Sequence, residues 1–407
     1  MGTQQRKVIL IQLSIGLFLI SFMFVIIDVS MSIALADIVK NLVGDSGFLF
    51  SLVASIVFLG NIIMIFPLAK LSDRIGRKNT LIISISISMM GILLLYFATQ
   101  FWMILVLRFV IGLNSIMGVI SALVIDHFPE EERGKPLSMY SIGLVAGYLV
   151  GSIFGGPIYS WLGEKNTFLF LGGVAFIGIL NVLVNIKDAT KTETSLAQEE
   201  GDKPKPKTWF YIRQNRSIIA LLGLNFFNML AISGSGSYAV YVIFTHFNLS
   251  DLTGGLYLIP VQIVEVVMFA VLGARVKNFD KVYKLMFGVI VILIGFTISF
   301  IFLEHPIQFS MVAAFFGMGI AIIMQSSDAI SHKLIPLEHK TNLVSIYRFV
   351  GLVGNILGPI LFGLMVDYIW VYSPGIFFAI GLLFVELLYW KWINKGQTVK
   401  LEVLYKD

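Results

Sequence analysis

GNIIMIFPLAKLSDRIGRKN (residues 60–79) passes from an almost unbroken apolar run into five charged side chains within nine positions: Lys70, Asp73, Arg74, Arg77 and Lys78. In a chain with 13% charged and 57% hydrophobic residues, such a cluster marks a point where the polypeptide leaves an apolar phase and turns in water. Nearly uncharged runs of about 18 residues or more recur along all 407 residues, at a mean hydropathy of +0.89. A soluble chain of this length needs far more charge to cover its surface. A bilayer admits only helices or closed barrels as spanning forms, because every backbone polar group must be satisfied internally. The long Ile, Leu, Phe and Val runs select helices.

Working outward from that turn, apolar runs and polar breaks define twelve spans, near residues 8–38, 47–70, 79–98, 101–127, 136–160, 166–186, 217–246, 252–274, 283–303, 307–332, 342–367 and 373–393. The first follows Arg6 and Lys7, outlasts the roughly 7–15 apolar residues of a cleaved signal and carries Asp28, so it is expected to remain as a helix. All but four of the 29 Lys and Arg fall in every second loop, in the two tails or at the span ends that adjoin them, as Lys284 and Lys391 do; the four are Lys40, Lys165, Arg108 and Arg348. By the positive-inside rule those loops and both termini are cytoplasmic, and a multi-pass protein of the plasma membrane is expected. The alternating bias also argues against reading the net charge of +5 as a nucleic-acid footprint.

The tract DATKTETSLAQEEGDKPKPKTWFYI, within residues 187–216, is the one long polar stretch and reads as a cytoplasmic linker. It separates an N-terminal six-span bundle, 1–186, from a C-terminal six-span bundle with a short tail, 217–407. At a constant spacing of 207 residues, Pro129 meets Pro336, Gly112 meets Gly319, Tyr140 meets Tyr347, Gly147 meets Gly354, Gly151 meets Gly358 and Gly156 meets Gly363. Asp73 likewise meets Asp280 and Arg77 meets Lys284. Polar and glycine matches at one offset exceed what apolar composition produces, and two repeated halves with a pathway between them are the architecture of a secondary transporter.

These segments resemble the major facilitator superfamily over almost the whole chain, particularly its twelve-helix drug:proton antiporter-like branch. Residues 60–79 are similar to its signature between helices two and three. LRFVIGLNSIMG, with Arg108 and Gly112, looks like its helix-four signature. GYLVGSIFGGP (147–157), with Gly147, Gly151, Gly155 and Gly156, looks like its helix-five antiporter signature; Ser152 stands where that pattern has Pro, whereas GNILGPILFG keeps Pro359. The resemblance implies an all-α fold of two pseudo-symmetric six-helix bundles. It also implies a cytoplasmic gate built from Asp73, Arg74, Gly76, Arg77 and Asp126, in which Arg77 pairs with Asp126 and Asp73 approaches the start of helix eleven near Thr341 to Leu343. Asp280, Lys284, Asp328 and Arg348 would form its second-half counterpart, the last two as a gating or a static pair.

Ions within spans cost about 2.5–3.5 kcal/mol on insertion scales and are functional by default. Asp28 and Arg108 lie within the first and fourth spans, so Asp28 is expected to accept the coupling proton beside Arg108, although Arg108 could instead serve only backbone carbonyls. Glu265, with Gln262 nearly one turn before it, is either a second coupling group or a hydrogen-bonded packing residue. Asn225, Asn228, Tyr238 and Tyr241 of the seventh span, with Gln262, could line a substrate cavity. The chain has no Cys and its five His are scattered, with His332 and His339 flanking Pro336 and not sharing a helical face, so no metal is assigned. Nothing matches a phosphate-binding loop, so neither ATP drive nor another cofactor is expected, and no nucleophile arrangement supports an enzyme. The expected partners are a small-molecule substrate, protons and the lipid bilayer, with the chain acting as a monomer. Proton-linked export of amphipathic compounds by alternating access is the expected function. The alternatives are a proton symporter or facilitator for a polar metabolite and a non-transporting membrane sensor.

Overall fold

A computed structural model describes residues 3–128, 134–188, 208–247, 251–273, 305–334 and 340–369, with a few isolated positions besides. The expected spans near 283–303 and 373–393 lie outside the described segments. Among the described residues, seven helical runs are long and apolar enough to cross a bilayer. The chain divides into two compact units. The first comprises Met1–Gly44, Ile56–Pro204 and Ser250–Leu256, and the second comprises Asp45–Ser55, Lys205–Leu249 and Tyr257–Asp407.

In the first unit, α1 (Thr3–Val43) and α2 (Gly47–Ile75) are long apolar helices, the first turns of α2 being counted with the second unit. Gly76, with φ +92°, ends α2 and lets α3 (Arg77–Leu94) start at once. Only glycine takes this backbone conformation freely. The span expected over 101–127 is broken: α4 (Phe101–Gly112) and α5 (Ile116–His127) are separated by Leu113–Ser115. Gly, Asn and Ser in sequence weaken a helix there, since the Asn and Ser side chains offer the backbone competing partners. α6 (Gly134–Asn185) contains the fifth and sixth expected spans as two helical runs meeting at Gly163, whose φ of +76° breaks the helical path. Leu17 and Ile20 of α1, Leu81 of α3, Ile120 and Leu123 of α5 and Val182 of α6 form its buried core, while Ile63, Phe66, Met90, Trp102 and Val184 face outward, as lipid contact requires.

In the second unit, a short helix, α7 (Thr208–Gln214), occupies the end of the stretch read as linker. Asn215 then caps α8 (Arg216–Tyr241) by accepting from the Ser217 amide at 3.1 Å, and a π-helical turn extends α8 over Val242–His246. The eighth span begins with Asp251–Gly254 and a tighter turn, Gly255–Leu258, counted partly with the first unit, before α9 (Ile259–Gly273). α10 (Pro306–Leu334) and α11 (Lys340–Tyr368) complete it. Asp367 of α11 binds the first turn of α2 within this unit. Its carboxylate accepts from the Gly47 amide at 2.7 Å, the Phe48 amide at 3.0 Å and the Ser46 hydroxyl at 2.9 Å, satisfying amides that α2 itself cannot pair.

The two units repeat one packing device. A Cβ at Gly147 or Gly151 of α6 would come within 2.7 Å of the Phe22 carbonyl or 2.9 Å of Val29 on α1. At the positions 207 residues on, a Cβ at Gly354 or Gly358 of α11 would strike the Phe226 or Leu230 carbonyl of α8. The carbonyl of Tyr140 accepts from Ser21 at 2.7 Å, and that of its counterpart Tyr347 accepts from Asn225 at 2.7 Å. Small residues that admit close backbone approach are how helices associate where lipid competes for apolar contact. Gly358→Val is therefore expected to destabilise the purified protein by about 1–3 kcal/mol. Gly173→Ala, where a Cβ meets nothing within 4 Å, should leave the melting temperature unchanged or raise it; both are read in one thermal unfolding series.

Candidate functional site

The turn between α2 and α3 is organised around the Arg77 guanidinium. Its Nε donates to Asp126 at the end of α5 (2.9 Å), and one terminal nitrogen donates to Asp73 (2.5 Å) and to Ser72 (2.5 Å). The Arg77 and Asp126 side chains are 17% and 15% exposed, whereas Asp73 is 68% exposed. The first contact is therefore shielded from solvent and the second is not. Asp188, just beyond α6, joins the cluster by accepting from the Lys78 amide at 2.9 Å, and its carboxylate lies 2.6 Å from where a Gly76 Cβ would sit. Gly76 is thus required twice, by its backbone angle and by Asp188. Arg74 is exposed beside them.

Deeper in the same unit, Arg108 of α4 donates to Asp28 of α1 at 3.3 Å. The Arg108 side chain is 5% exposed and that of Asp28 is 44% exposed. The guanidinium is fixed in the packed interior while the carboxylate retains an open edge. A cavity of about 40 Å³ adjoins Asp28, walled by Met23, Met31, Ile92 and Ile111 with Ser88 and Asn114 as its polar members. The glycines of the helix-five motif serve packing: Gly147, Gly151 and Gly155 lie against α1, and Gly156 is buried. Nearby, the Tyr159 hydroxyl donates to Asp37 of α1 at 2.9 Å.

In the second unit Asn225 and Asn228 are buried on α8. Tyr238 packs edge-on against Phe309 and Phe362, and Tyr241 donates to the Asp45 carbonyl at 2.9 Å while its ring meets Phe362. Both tyrosines therefore sit in helix packing. Glu265 and Gln262 are half-buried on α9, with the Gln262 Oε1 meeting no partner. Arg348 is half-buried on α11. Asp280 and Lys284 lie outside the described residues, as does the side chain of Asp328. No cluster of three or more metal-ligating side chains occurs among the described residues.

Four residues of these clusters escape pattern reading: Ser72, Asp188, Asp37 and Asp367. Each lies near a span end, where a polar residue reads equally well as solvated. An acid adjoining a helix terminus was the one available signal, and it does not say which helix is served.

The family model of the Major Facilitator Superfamily matches residues 13–303 and 280–402. The chain is 24% identical to the multi-drug resistance efflux pump PmrA homolog of Lactococcus lactis, over 80% of each chain. It is 21% identical to the class H tetracycline resistance protein of Pasteurella multocida, over 83% of this chain and 84% of that one. Identity to the synaptic vesicular amine transporter of Rattus norvegicus is 24%, over 77% of this chain and 59% of that longer protein. Among solved structures, a bacterial homolog of the human lysosomal transporter Spinster aligns with a TM-score of 0.72 at 14% identity, covering 98% of both chains. A D-xylose-proton symporter aligns at 0.73 and 15% identity, covering 95% of this chain and 98% of that one. Two matching family segments that together cover most of the chain, and a shared fold, establish that this helical, multi-pass protein belongs to the Major Facilitator Superfamily and is a membrane transporter rather than an enzyme.

Proposed function

We propose that the protein is a proton-coupled exporter of small amphipathic compounds, working by alternating access in the plasma membrane with both termini in the cytoplasm. The observation that carries this reading is the Asp28–Arg108 pair, a half-open carboxylate against an immobilised cation inside a spanning bundle. A proton taken from outside neutralises Asp28 and ends its attraction to Arg108. The energy of one conformation then rises relative to the other, and release of the proton to the cytoplasm resets the pair. A pair of opposite charges is well suited to this, because a conformational switch needs two states separated by only a few kcal/mol. The membrane potential adds about 2.3 kcal/mol per charge per 100 mV. Glu265, half-buried in the second unit, is the second group assigned to coupling or to a cationic substrate. The bacterial relatives, an efflux pump homolog and a resistance protein, favour export, and the vesicular amine transporter favours amines among the compounds carried.

The Arg77 cluster is assigned to the cytoplasmic gate of this cycle. Its contacts hold the α2–α3 turn against the ends of α5 and α6, so their loss changes the balance of states without touching the carried compound.

Two outcomes follow. In proteoliposomes with an imposed pH gradient, Asp28→Asn should abolish gradient-driven dye efflux while retaining exchange down a substrate gradient. Proton movement that still keeps step with substrate in this variant would remove Asp28 from coupling. Asp126→Asn and Arg77→Ala should each slow efflux several-fold and lower stability by about 1–3 kcal/mol, because each leaves a partly buried ionic partner unmatched. The double variant should cost less than the sum of the two, a deficit measured by a double-mutant cycle on melting temperature.

A further inference from the structure

Asn228 has no solvent exposure at all, yet neither its Oδ1 nor its Nδ2 meets a hydrogen-bond partner. Nearly one turn earlier on α8, Asn225 is 2% exposed. It donates its Nδ2 to the Tyr347 carbonyl, and its Oδ1 is left without a partner. The Ser326 hydroxyl of α10, fully buried, is in the same condition. Tyr347 of α11 links the two helices at this level: its carbonyl takes Asn225 of α8, and its hydroxyl lies 3.0 Å from that of Ser327 of α10, the residue after Ser326. The apolar layer beneath agrees with this register. Leu221 and Leu224 of α8 cluster with Ile330 of α10, and in antiparallel spans one turn onward from Leu224 is Asn228, while one turn back from Ile330 is Ser326. Gly351 leaves room beside the cluster, since a Cβ there would come within 2.8 Å of the Asn225 amide nitrogen.

Each buried polar group without a partner costs about 1–3 kcal/mol, and Asn228 alone presents two. Its chemistry narrows what could pair with it. A metal cation would satisfy the amide and hydroxyl oxygens but leave Nδ2 facing a positive charge. An anion would accept from Nδ2 but be repelled by both Oδ1 atoms. A neutral group that both donates and accepts matches all of them.

We propose that Asn228, Asn225 and Ser326 form a site inside the second unit for a neutral hydroxyl or amide group, supplied either by water or by a transported compound. Such a site would give the transporter a polar reading point separate from the ionic pair in the first unit. The proposal rests on the transporter assignment and not on proton coupling at Asp28, so failure of the Asp28 experiment leaves it standing.

Because the chain has no Cys, Asn228→Cys in the full-length protein carries a single thiol. In proteoliposomes, 2-aminoethyl methanethiosulfonate should modify Cys at 228 at a rate within about 100-fold of an exposed Gln100→Cys control. Leu224→Cys, equally buried on the same helix, should resist. Slowing of the 228 reaction by propionamide, but not by tetramethylammonium, identifies an organic hydroxyl or amide as the occupant. Reaction unaffected by either identifies water. Resistance at 228 equal to that at 224 overturns the proposal. As a check independent of labelling, Asn228→Leu should reduce transport at least 10-fold and Asn228→Ser should restore much of it. An Asn228→Leu protein that transports at the parental rate and melts above the parent marks an orphaned packing amide, and also overturns the proposal.

Discussion

Within a bilayer, lipid tails solvate an apolar helix as well as another helix does, so burying apolar surface cannot by itself hold a bundle together. What holds these two units is close backbone approach at small residues. In the first unit the glycines at 143, 147, 151 and 155 of α6 sit against the backbone or Cβ atoms of α1. In the second, those at 351, 354 and 358 of α11 sit against α8. Bringing helices this near also brings their side-chain hydroxyls and amides within reach of neighbouring carbonyls, as Ser21 reaches Tyr140 and Asn225 reaches Tyr347. Packing and polar pairing are one arrangement, used twice.

That arrangement explains where ions are tolerated. Arg108 can be almost wholly buried because α1 is near enough to present Asp28, and Arg77 can sit half-shielded because Asp126 and Asp73 meet it from two sides. The two ion clusters differ in their chemistry. At Arg77 several short contacts and the capping contact of Asp188 make a rigid corner, suited to holding a turn. At Arg108 the carboxylate contact is longer, 3.3 Å, and Asp28 is more open than Asp126, the features on which the proposed coupling rests. A family that carries unlike compounds on one fold can keep the first cluster as scaffold and vary the residues around the second.

Most of the fold was legible from the sequence. The turn at 70–79, the alternation of basic loops and the 207-residue offset led to two bundles of spans, and the described helices follow those boundaries with one main exception. The fourth span breaks over Leu113–Ser115, where hydropathy stays high but the backbone preference changes. The fifth and sixth spans part where expected, at Gly163, whose positive φ breaks the helical path between them. The Arg77–Asp126 pair, 49 positions apart, was expected from the family resemblance, and the Asp28–Arg108 pair, 80 positions apart, joins the ions singled out in the first and fourth spans. Tyr238 and Tyr241 show the opposite case: an aromatic in a spanning helix reads alike whether it lines a cavity or packs on Phe362.

By itself the sequence determined that the chain spans a membrane as helices, which loops are basic and that its halves repeat, because hydropathy, charge sign and periodicity belong to single residues and short windows. Only the tertiary structure decided which polar atoms are satisfied. Asn228 looks no different in sequence from Asn225, yet Asn225 finds the Tyr347 carbonyl and Asn228 finds nothing. A hydrogen bond depends on a distance near 3 Å between groups brought together by folding, and no local pattern encodes that distance.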